Sequence, residues 1–292
     1  MRSRQFWSRY QPGFRFATPP VGTKEFFAEV SRQRYDLEPH IPEVVGFDRW
    51  AGCRVLEAGC GIGTDGACFS AAGAVYTGLD FSPTATELAR RRFELDALQG
   101  AVVVASVTAL PFPDKAFDLI FSHGVIHHVE DTDASVREFH RVLKPGGVVL
   151  AMIYHRRSWN HYVSIMLVRR LLVGMLLVPG AATFISKLTG EPRVVLDGHK
   201  ALLDEYGMRY ILDRRMFLSH NTDGPGNPLS KVYSRAEARA LFSPMFHHVT
   251  TDVRYLNLRL YPGGTWLVKT RLGRLLERRI GWHLYVTGMK GT

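Results

Sequence analysis

The sequence predicts an α/β fold in which helices cover both faces of a mostly parallel β-sheet. Short apolar runs alternate with helix-like stretches from residue 53 to residue 155. A glycine-rich turn directly follows the first of these runs, as at the ligand-binding edge of such sheets. The chain has 292 residues, of which 46% are hydrophobic and 22% charged. This size and composition are typical of a globular protein and exclude a disordered chain.

Five strands are predicted in the first half of the chain, at residues 53–58, 74–80, 101–105, 117–122 and 148–154. Their nearly continuous apolar character is typical of strands buried on both faces. Helices are expected between them, one of which begins at Ser82-Pro83 and another of which spans residues 131–143. Pro145-Gly146-Gly147 should separate that last helix from the fifth strand. A helix at 235–242 and strands at 247–254 and 282–289 restore the pattern near the C-terminus.

Two segments fall outside this alternation. Residues 1–50 are aromatic and basic, and we expect an arm with one helix at 25–35 that Pro39 and Pro42 stop. Residues 156–233 are too long for a structureless loop and should carry their own helices. We therefore divide the chain into an N-terminal arm and lid helix (1–50), a sheet domain (51–155 and 234–292) and an inserted cap (156–233).

Three motifs carry the chemistry. The first is Glu57-Ala-Gly59-Cys-Gly61-Ile-Gly63-Thr-Asp65, whose glycines let the backbone approach a ligand where the first strand ends. The second is the polar loop and buried strand of residues 105–122, and the third is Leu143-Lys-Pro-Gly-Gly147. Asp80 ends the second predicted strand, where an acidic residue typically holds the hydroxyls of a ribose.

Together, the three motifs resemble those of class I S-adenosylmethionine-dependent methyltransferases, in particular the small-molecule (type 11) branch that includes ubiquinone and menaquinone methylases. The resemblance covers residues 53–155 and, more weakly, 234–254. It implies a Rossmann-like seven-stranded sheet, S-adenosylmethionine as the cofactor, and methyl transfer to an oxygen or carbon of a small molecule. A secondary metabolite, a quinone or a sugar-like compound would be the acceptor.

The resemblance also implies a cofactor site. Glu57 would order the glycine loop, Asp80 would hold the ribose, and Phe81 would flank the adenine. Ser106 stands where many members have an aspartate, so its contact with the adenine would lack charge assistance. The other implied cofactor-binding residues are Tyr35 of the lid helix, Gly59, Gly61, Gly63, Val107, Ser122 and His123.

Histidines cluster after the fourth and fifth predicted strands, and three interpretations stay open. His128 and His155 are our candidates for a general base, because strand ends face the ligand crevice. A metal site is disfavoured and no metal is predicted, because His127 and His128 should point apart on a helix. Packing in the core is the third interpretation. The predicted substrate-binding residues are His127, Tyr154, His220, Asn221 and Asp223, although residues 223–226 are equally consistent with a plain turn.

The formal net charge of +10 arises from 37 basic and 27 acidic residues. We assign the surplus to the N-terminal arm, the insertion and a basic helix at 271–279. Such a charge favours nucleic acid, an anionic lipid surface or an acidic substrate. The predicted cap and the sequence Ser122-His-Gly-Val after the fourth strand, which lacks an Asn-Pro-Pro-Tyr-type motif, argue against a nucleic acid. Three alternative functions remain: a lipid methylase that contacts a membrane surface through residues 162–185, an RNA methylase, and a non-catalytic S-adenosylmethionine-binding protein. A homo-oligomer is also possible for any of them.

The three cysteines form no Cys-x-x-Cys pair, which argues against a disulfide framework and a zinc site. No apolar signal segment follows Met1, and the apolar run at 171–185 is too short to span a bilayer. We therefore expect a cytoplasmic protein.

Overall fold

The computed structural model describes residues 2–9, 14, 17–259, 261 and 263–292, without the side chains of Arg2 and Arg9. The chain forms two compact units. Unit 1 comprises Met1–Ile153, Arg235–Asp252 and Tyr285–Thr292. Unit 2 comprises Tyr154–Ser234 and Val253–Leu284. The domain boundaries predicted from the sequence, which keep all of 234–292 with the sheet, stay a prediction.

A seven-stranded sheet organises unit 1, with the strand order β3-β2-β1-β4-β5-β7-β6. The strands are β1 (Arg54–Ala58), β2 (Val75–Asp80), β3 (Ala101–Val104), β4 (Phe117–His123), β5 (Leu143–Tyr154), β6 (His247–Arg254) and β7 (His283–Met289). Strands β1 to β5 pair in parallel. Backbone hydrogen bonds join Gly147 with Lys290 and His155 with Trp282, so β7 runs antiparallel to β5. The predicted mostly parallel sheet is confirmed.

The helices alternate with these strands and then fill unit 2. Within the described residues they are α1 (Arg2–Arg9), α2 (Lys24–Leu37), α3 (His40–Val45), α4 (Thr64–Ala71), α5 (Pro83–Leu95), α6 (Thr132–Val142), α7 (Arg170–Met175), α8 (Ala181–Thr189), α9 (Arg193–Tyr206), α10 (Met208–Leu212), α11 (Arg214–Thr222), α12 (Arg235–Phe242), α13 (Gly264–Leu267) and α14 (Arg271–Ile280). Ser82 caps α5 as predicted, because its hydroxyl accepts the N–H of Ala85 at 3.2 Å.

Two sequence expectations about proline and glycine are wrong. Pro42 does not stop a helix but is the third residue of α3, in the first turn, where proline removes no helical hydrogen bond. Strand β5 begins at Leu143, five residues earlier than expected, and passes through Pro145-Gly146-Gly147. Leu143 pairs with Phe117, and the register shifts before Leu119 pairs with Val148. A bulge therefore absorbs the proline and glycines that predicted a break.

The core of unit 1 reaches the glycine-rich loop through α2. Phe26, Phe27 and Val30 of α2 are buried against Ile62, which lies inside the loop. Because β1 is buried over its last four residues, the loop that follows it starts from a fixed position. The helix predicted to act as a lid is thus packed on the loop that it would cover.

Unit 2 is mainly helical. Residues Asn160–Arg169 form a π-helical segment that continues into α7, and a turn at 176–180 precedes α8. Among the described residues, no helix combines the length and apolar character needed to cross a membrane. Several large apolar side chains of this stretch are exposed, including Tyr162, Leu171 and Phe184.

The net charge resides in unit 2. Unit 2 has 18 basic and seven acidic residues, whereas unit 1 has 19 basic and 20 acidic residues. The N-terminal arm (1–50), with eight basic and six acidic residues, contributes +2 to the surplus as expected, and the rest of unit 1 offsets it, so that unit 1 as a whole carries a net charge of −1.

Candidate functional site

The glycine-rich loop after β1 has one glycine that faces open space. Gly59, Gly61 and Gly63 all have positive φ angles, a conformation that other residues rarely adopt. A Cβ atom on Gly59 would lie 2.2 Å from Val125, and one on Gly63 would lie 3.3 Å from Ala89. A Cβ atom on Gly61 would meet nothing within 4 Å. Packing therefore explains Gly59 and Gly63, while Gly61 borders a space that a ligand can use.

Asp80 lies beside Gly61 at the end of β2. Its Oδ2 accepts the Gly61 N–H at 3.0 Å, and its Oδ1 accepts the Ser82 N–H at 2.9 Å. Burial raises the pKa of Asp80, whereas the N–H groups of Ser82, Gly61 and Phe81 lower it. Each carboxylate oxygen can accept a further hydrogen bond, so Asp80 can bind a diol while it fixes the loop.

Glu57 is held below the loop by Tyr76 of β2. The Tyr76 hydroxyl donates to Glu57 Oε2 at 2.6 Å, and both side chains are buried. Burial, with the charge of Asp65, raises the pKa of Glu57 well above its usual range. Glu57 therefore contributes to the internal support of the loop.

An ion pair joins the lid helix to the start of α4. Arg34 of α2 donates from Nε to Asp65 Oδ1 at 3.0 Å and from Nη2 to Oδ2 at 2.6 Å. The Tyr35 hydroxyl donates to Asp65 Oδ1 at 2.9 Å. Burial alone would lower the pKa of Arg34, but the carboxylates of Asp65 and Glu38 raise it overall. We call Arg34, Tyr35 and Asp65 the lid latch.

His123 extends the lid latch and is neutral. The Nη2 of Arg34 lies 3.3 Å from His123 Nδ1, and because arginine only donates, Nδ1 accepts. The proton is then on Nε2, which donates to the Tyr285 hydroxyl at 3.0 Å. Burial lowers the pKa of His123 well below its usual value, and the charges of Arg34 and His40 lower it further.

The remaining residues predicted at the cofactor lie on the loops after β3 and β4. Ser106 Oγ is 2.8 Å from the Thr108 hydroxyl and accepts the Thr108 N–H, while Val107 is buried. The Ser122 hydroxyl is buried and donates to the carbonyl of Ala58 at 3.0 Å. Ser122 therefore ties the end of β4 to the end of β1.

His127 and His128 correct one expectation. They do not point apart: both are on a short 3₁₀ turn (Ile126–His128), and their ring centroids are 4.2 Å apart. His128 is 8% exposed and makes an edge contact with Trp7 of α1, with centroids 4.9 Å apart. The helix that was expected to separate the two rings is replaced by a tighter turn.

The other predicted residues belong to unit 2. The Tyr154 hydroxyl donates to Asp223 Oδ1 at 3.0 Å, so the structure brings these two together. His155 is buried, and its Nδ1 donates to the carbonyl of Gly281 at 3.0 Å. His220 Nδ1 accepts the N–H of Gly226, and Asn221 is buried with its amide donating to Tyr210.

Sequence reasoning gave no role to Asp65 or Tyr76. Asp65 ends the glycine motif, and its position at the start of α4 was the available signal for the lid latch. Tyr76 needs space made by glycines, because a Cβ atom on Gly66 or Gly78 would lie 2.3 or 2.6 Å from its hydroxyl. Gly66 lies ten residues before Tyr76 in the sequence, and Gly78 lies two residues after it.

Comparison with known proteins identifies this architecture. Residues 56–151 match the family model described as a methyltransferase domain. These residues form a class I S-adenosylmethionine-dependent methyltransferase domain. The predicted small-molecule branch, the Rossmann-like fold and S-adenosylmethionine as the cofactor of the family are confirmed.

The similarity to curated relatives covers only part of the chain. The chain is 37% identical over 100 residues to methyltransferase GfsG of Streptomyces halstedii, covering 33% of this chain and 36% of that protein. It is 35% identical over 110 residues to demethylmenaquinone methyltransferase of Tropheryma whipplei, covering 37% and 45%. The chain thus matches less than half the length of these relatives.

A solved structure extends the likeness of fold to the rest of the chain. Magnesium protoporphyrin IX methyltransferase of Synechocystis PCC 6803, solved with bound SAH, matches with a TM-score of 0.51 and 13% identity. The match covers 99% of this chain and 98% of that one. At this identity the match supports the fold alone.

Proposed function

We propose that the protein transfers a methyl group from S-adenosylmethionine to an oxygen or carbon atom of a small-molecule acceptor. The observation that carries the proposal is the open space at Gly61, bordered by the Asp80 carboxylate where β1 and β2 end. Ligands of open α/β sheets bind at this edge. An acidic group and an unobstructed glycine together suit the ribose of the cofactor.

Each residue of the site has a proposed task in holding the cofactor. The free lone pairs of Asp80 accept the ribose hydroxyls, Phe81 flanks the adenine, and Ser106 and Val107 line its edge. Ser122 and His123 lie at the methionine end. When bound, the sulfonium of the cofactor supplies an activated methyl group. Since in-line alignment lowers the barrier to its transfer, positioning is the main task of these residues.

The lid latch supports the exclusion of water from the reaction. The two hydrogen bonds of Arg34 to Asp65 fix α2 beside the glycine loop, and Tyr35 approaches Thr64 and Asp65 at the start of α4. We infer that Tyr35 covers the cofactor from this position. A site closed in this way strengthens the electrostatic interactions inside it.

The general base remains a proposal for two histidines. His128 is mostly buried beside Trp7 in unit 1, and His155 is buried in unit 2, where its Nδ1 donates to the carbonyl of Gly281. Within unit 2, we propose that Tyr154, His220, Asn221 and Asp223 contact the acceptor. For His127 of unit 1, an acceptor contact is a separate proposal. The Tyr154–Asp223 hydrogen bond supports a shared role for these two side chains.

The charge distribution bears on the partners. Because the basic surplus lies in unit 2 and unit 1 is nearly neutral, we propose a small acidic or amphiphilic acceptor in preference to a nucleic acid. The exposed apolar side chains between 162 and 185 support the proposed contact with a membrane surface. A homo-oligomer through the same surface is a second proposal.

Methyl transfer is tested with S-adenosylmethionine labelled on the methyl carbon. The protein is incubated with fractionated small metabolites, and labelled products and S-adenosylhomocysteine are measured by mass spectrometry. We expect S-adenosylhomocysteine to form only with fractions that also gain the label. Tight cofactor binding without label transfer to any fraction would contradict the proposal and favour a non-catalytic binding protein.

A further inference from the structure

Unit 2 contains a cavity that the proposed function does not use. Its volume is about 560 Å³, within the range of small-molecule sites. It is bordered by the residues that follow β6 and by one face of α14. The side chains that line it are mainly aliphatic or aromatic, including Trp159, Leu256, Leu258, Tyr261, Leu276 and Ile280. We call it the α14 cavity.

Trp159, one of the residues that line the cavity, has an unused hydrogen-bond donor. Its indole Nε1 is buried, and among the described residues no acceptor lies within hydrogen-bond distance of it. The neighbouring Tyr261, which contacts Trp159 edge to face, is already used, because its hydroxyl lies 3.1 Å from that of Ser164. A buried donor without a partner costs free energy, which a ligand oxygen would recover.

The helix that borders the cavity is strongly basic. Helix α14 contains four arginines and a single acidic residue, Glu277. That carboxylate accepts the backbone N–H of Tyr255 at 2.8 Å. Leu276 and Ile280 face the cavity one turn apart, and the arginines are exposed on the same helix. An apolar cavity beside a cationic helix is complementary to a molecule with a hydrocarbon chain and an anionic head group.

We propose that the α14 cavity binds the chain of a long-chain carboxylate, with a carboxylate oxygen accepting the indole N–H of Trp159. The hydrocarbon chain fills the space between Leu256, Leu276 and Ile280, and the arginines of α14 attract the anion. The site concerns binding alone, so its test is independent of methyl transfer.

Titration calorimetry with sodium dodecanoate, kept below its micellar concentration, tests the site in the full-length protein. We expect one molecule to bind per chain, and dodecyltrimethylammonium, with the same chain and the opposite charge, to bind at least about tenfold more weakly. Leu276→Glu places a negative charge in the cavity wall, where it repels the carboxylate and disfavours the hydrocarbon chain, and it should weaken dodecanoate binding by at least about tenfold.

Leu272→Glu is the matched control, because Leu272 is exposed on the same helix and does not border the cavity. It should change affinity by less than about twofold. Should Leu276→Glu fail to fold, Trp159→Phe keeps an aromatic ring and removes the donor, and about fivefold weaker binding is expected. Equal binding of the cationic detergent, equal affinity of the Leu276 and Leu272 variants, or binding only to anionic phospholipid vesicles would each overturn the proposal.

Discussion

Removal of the Arg34 guanidinium tests the lid latch. Asp65 is 3% exposed and Arg34 22% exposed, so Arg34→Met leaves a buried carboxylate without its cation. Loss of one partner of a fully buried ion pair costs about 3–5 kcal/mol. Because Arg34 is partly exposed and Tyr35 still donates to Asp65, we expect a loss of about 2–3 kcal/mol in the free energy of unfolding.

Urea unfolding followed by circular dichroism measures this loss directly. For a chain of this size it corresponds to a melting temperature lower by about 4–12 °C. Arg32 on the same helix is the matched control, because Arg32 and its partner Asp36 are 63% and 65% exposed. Arg32→Met should cost less than about 1 kcal/mol. Equal, small effects of Arg34→Met and Arg32→Met would refute the argument that the lid latch is a buried ion pair.

Three further predictions concern the loop, its support and pH. Gly59→Ala should cost about 2–3 kcal/mol in unfolding free energy, because the new Cβ meets Val125 and φ is +91°. Tyr76→Phe should cost about 1–3 kcal/mol, because it removes the donor to buried Glu57. Burial lowers the pKa of His199 to about 3, so the unfolded chain binds more protons than the folded one below pH 6.5. His199 should contribute up to about 1.4 kcal/mol per pH unit to the fall in stability from pH 6.5 towards pH 3, and His199→Asn should remove that contribution and make the slope less steep.

Controls for these variants are available in the same chain. Gly61→Ala, which meets no atom, should cost less than Gly59→Ala. Tyr162→Phe removes an exposed hydroxyl and should leave stability unchanged, and His248→Asn, at an exposed site, should leave the acid slope unchanged. An acid slope in His199→Asn that is as steep as in wild type, or a Gly59→Ala protein as stable as wild type, would contradict these arguments. Unfolding free energies from urea titrations at several pH values measure all of them.

The predictable features of this chain are local ones. Ser82-Pro83 predicts the start of α5 because a capping hydroxyl and a fixed proline φ act within one turn. The apolar runs predict the strands because they too are features of neighbouring residues. Strand β6 has the bounds that the sequence predicts. Asp80 follows from its place at a strand end, which is also a local feature.

Features that depend on distant residues escaped prediction. The partner of Arg34 is 31 residues away, and the space for Tyr76 depends on two glycines on different elements. The bulge that carries β5 through Pro145-Gly146-Gly147 depends on the pairing of Leu143 with Phe117. The contact of His128 with Trp7 joins the fourth strand's loop to the first helix. In each case tertiary packing overrides the local propensity.

The most direct test of the proposed cofactor site is a measurement of the affinity for S-adenosylhomocysteine. It compares the wild-type protein with Asp80→Ala and with the surface control Asp36→Ala. We predict that wild type and Asp36→Ala bind S-adenosylhomocysteine with the same affinity. Asp80→Ala should remain folded by circular dichroism but bind at least about 100-fold more weakly, because it loses charge-assisted hydrogen bonds to the ribose. Wild-type affinity in folded Asp80→Ala would contradict the proposal that the cofactor binds at the ends of β1 and β2.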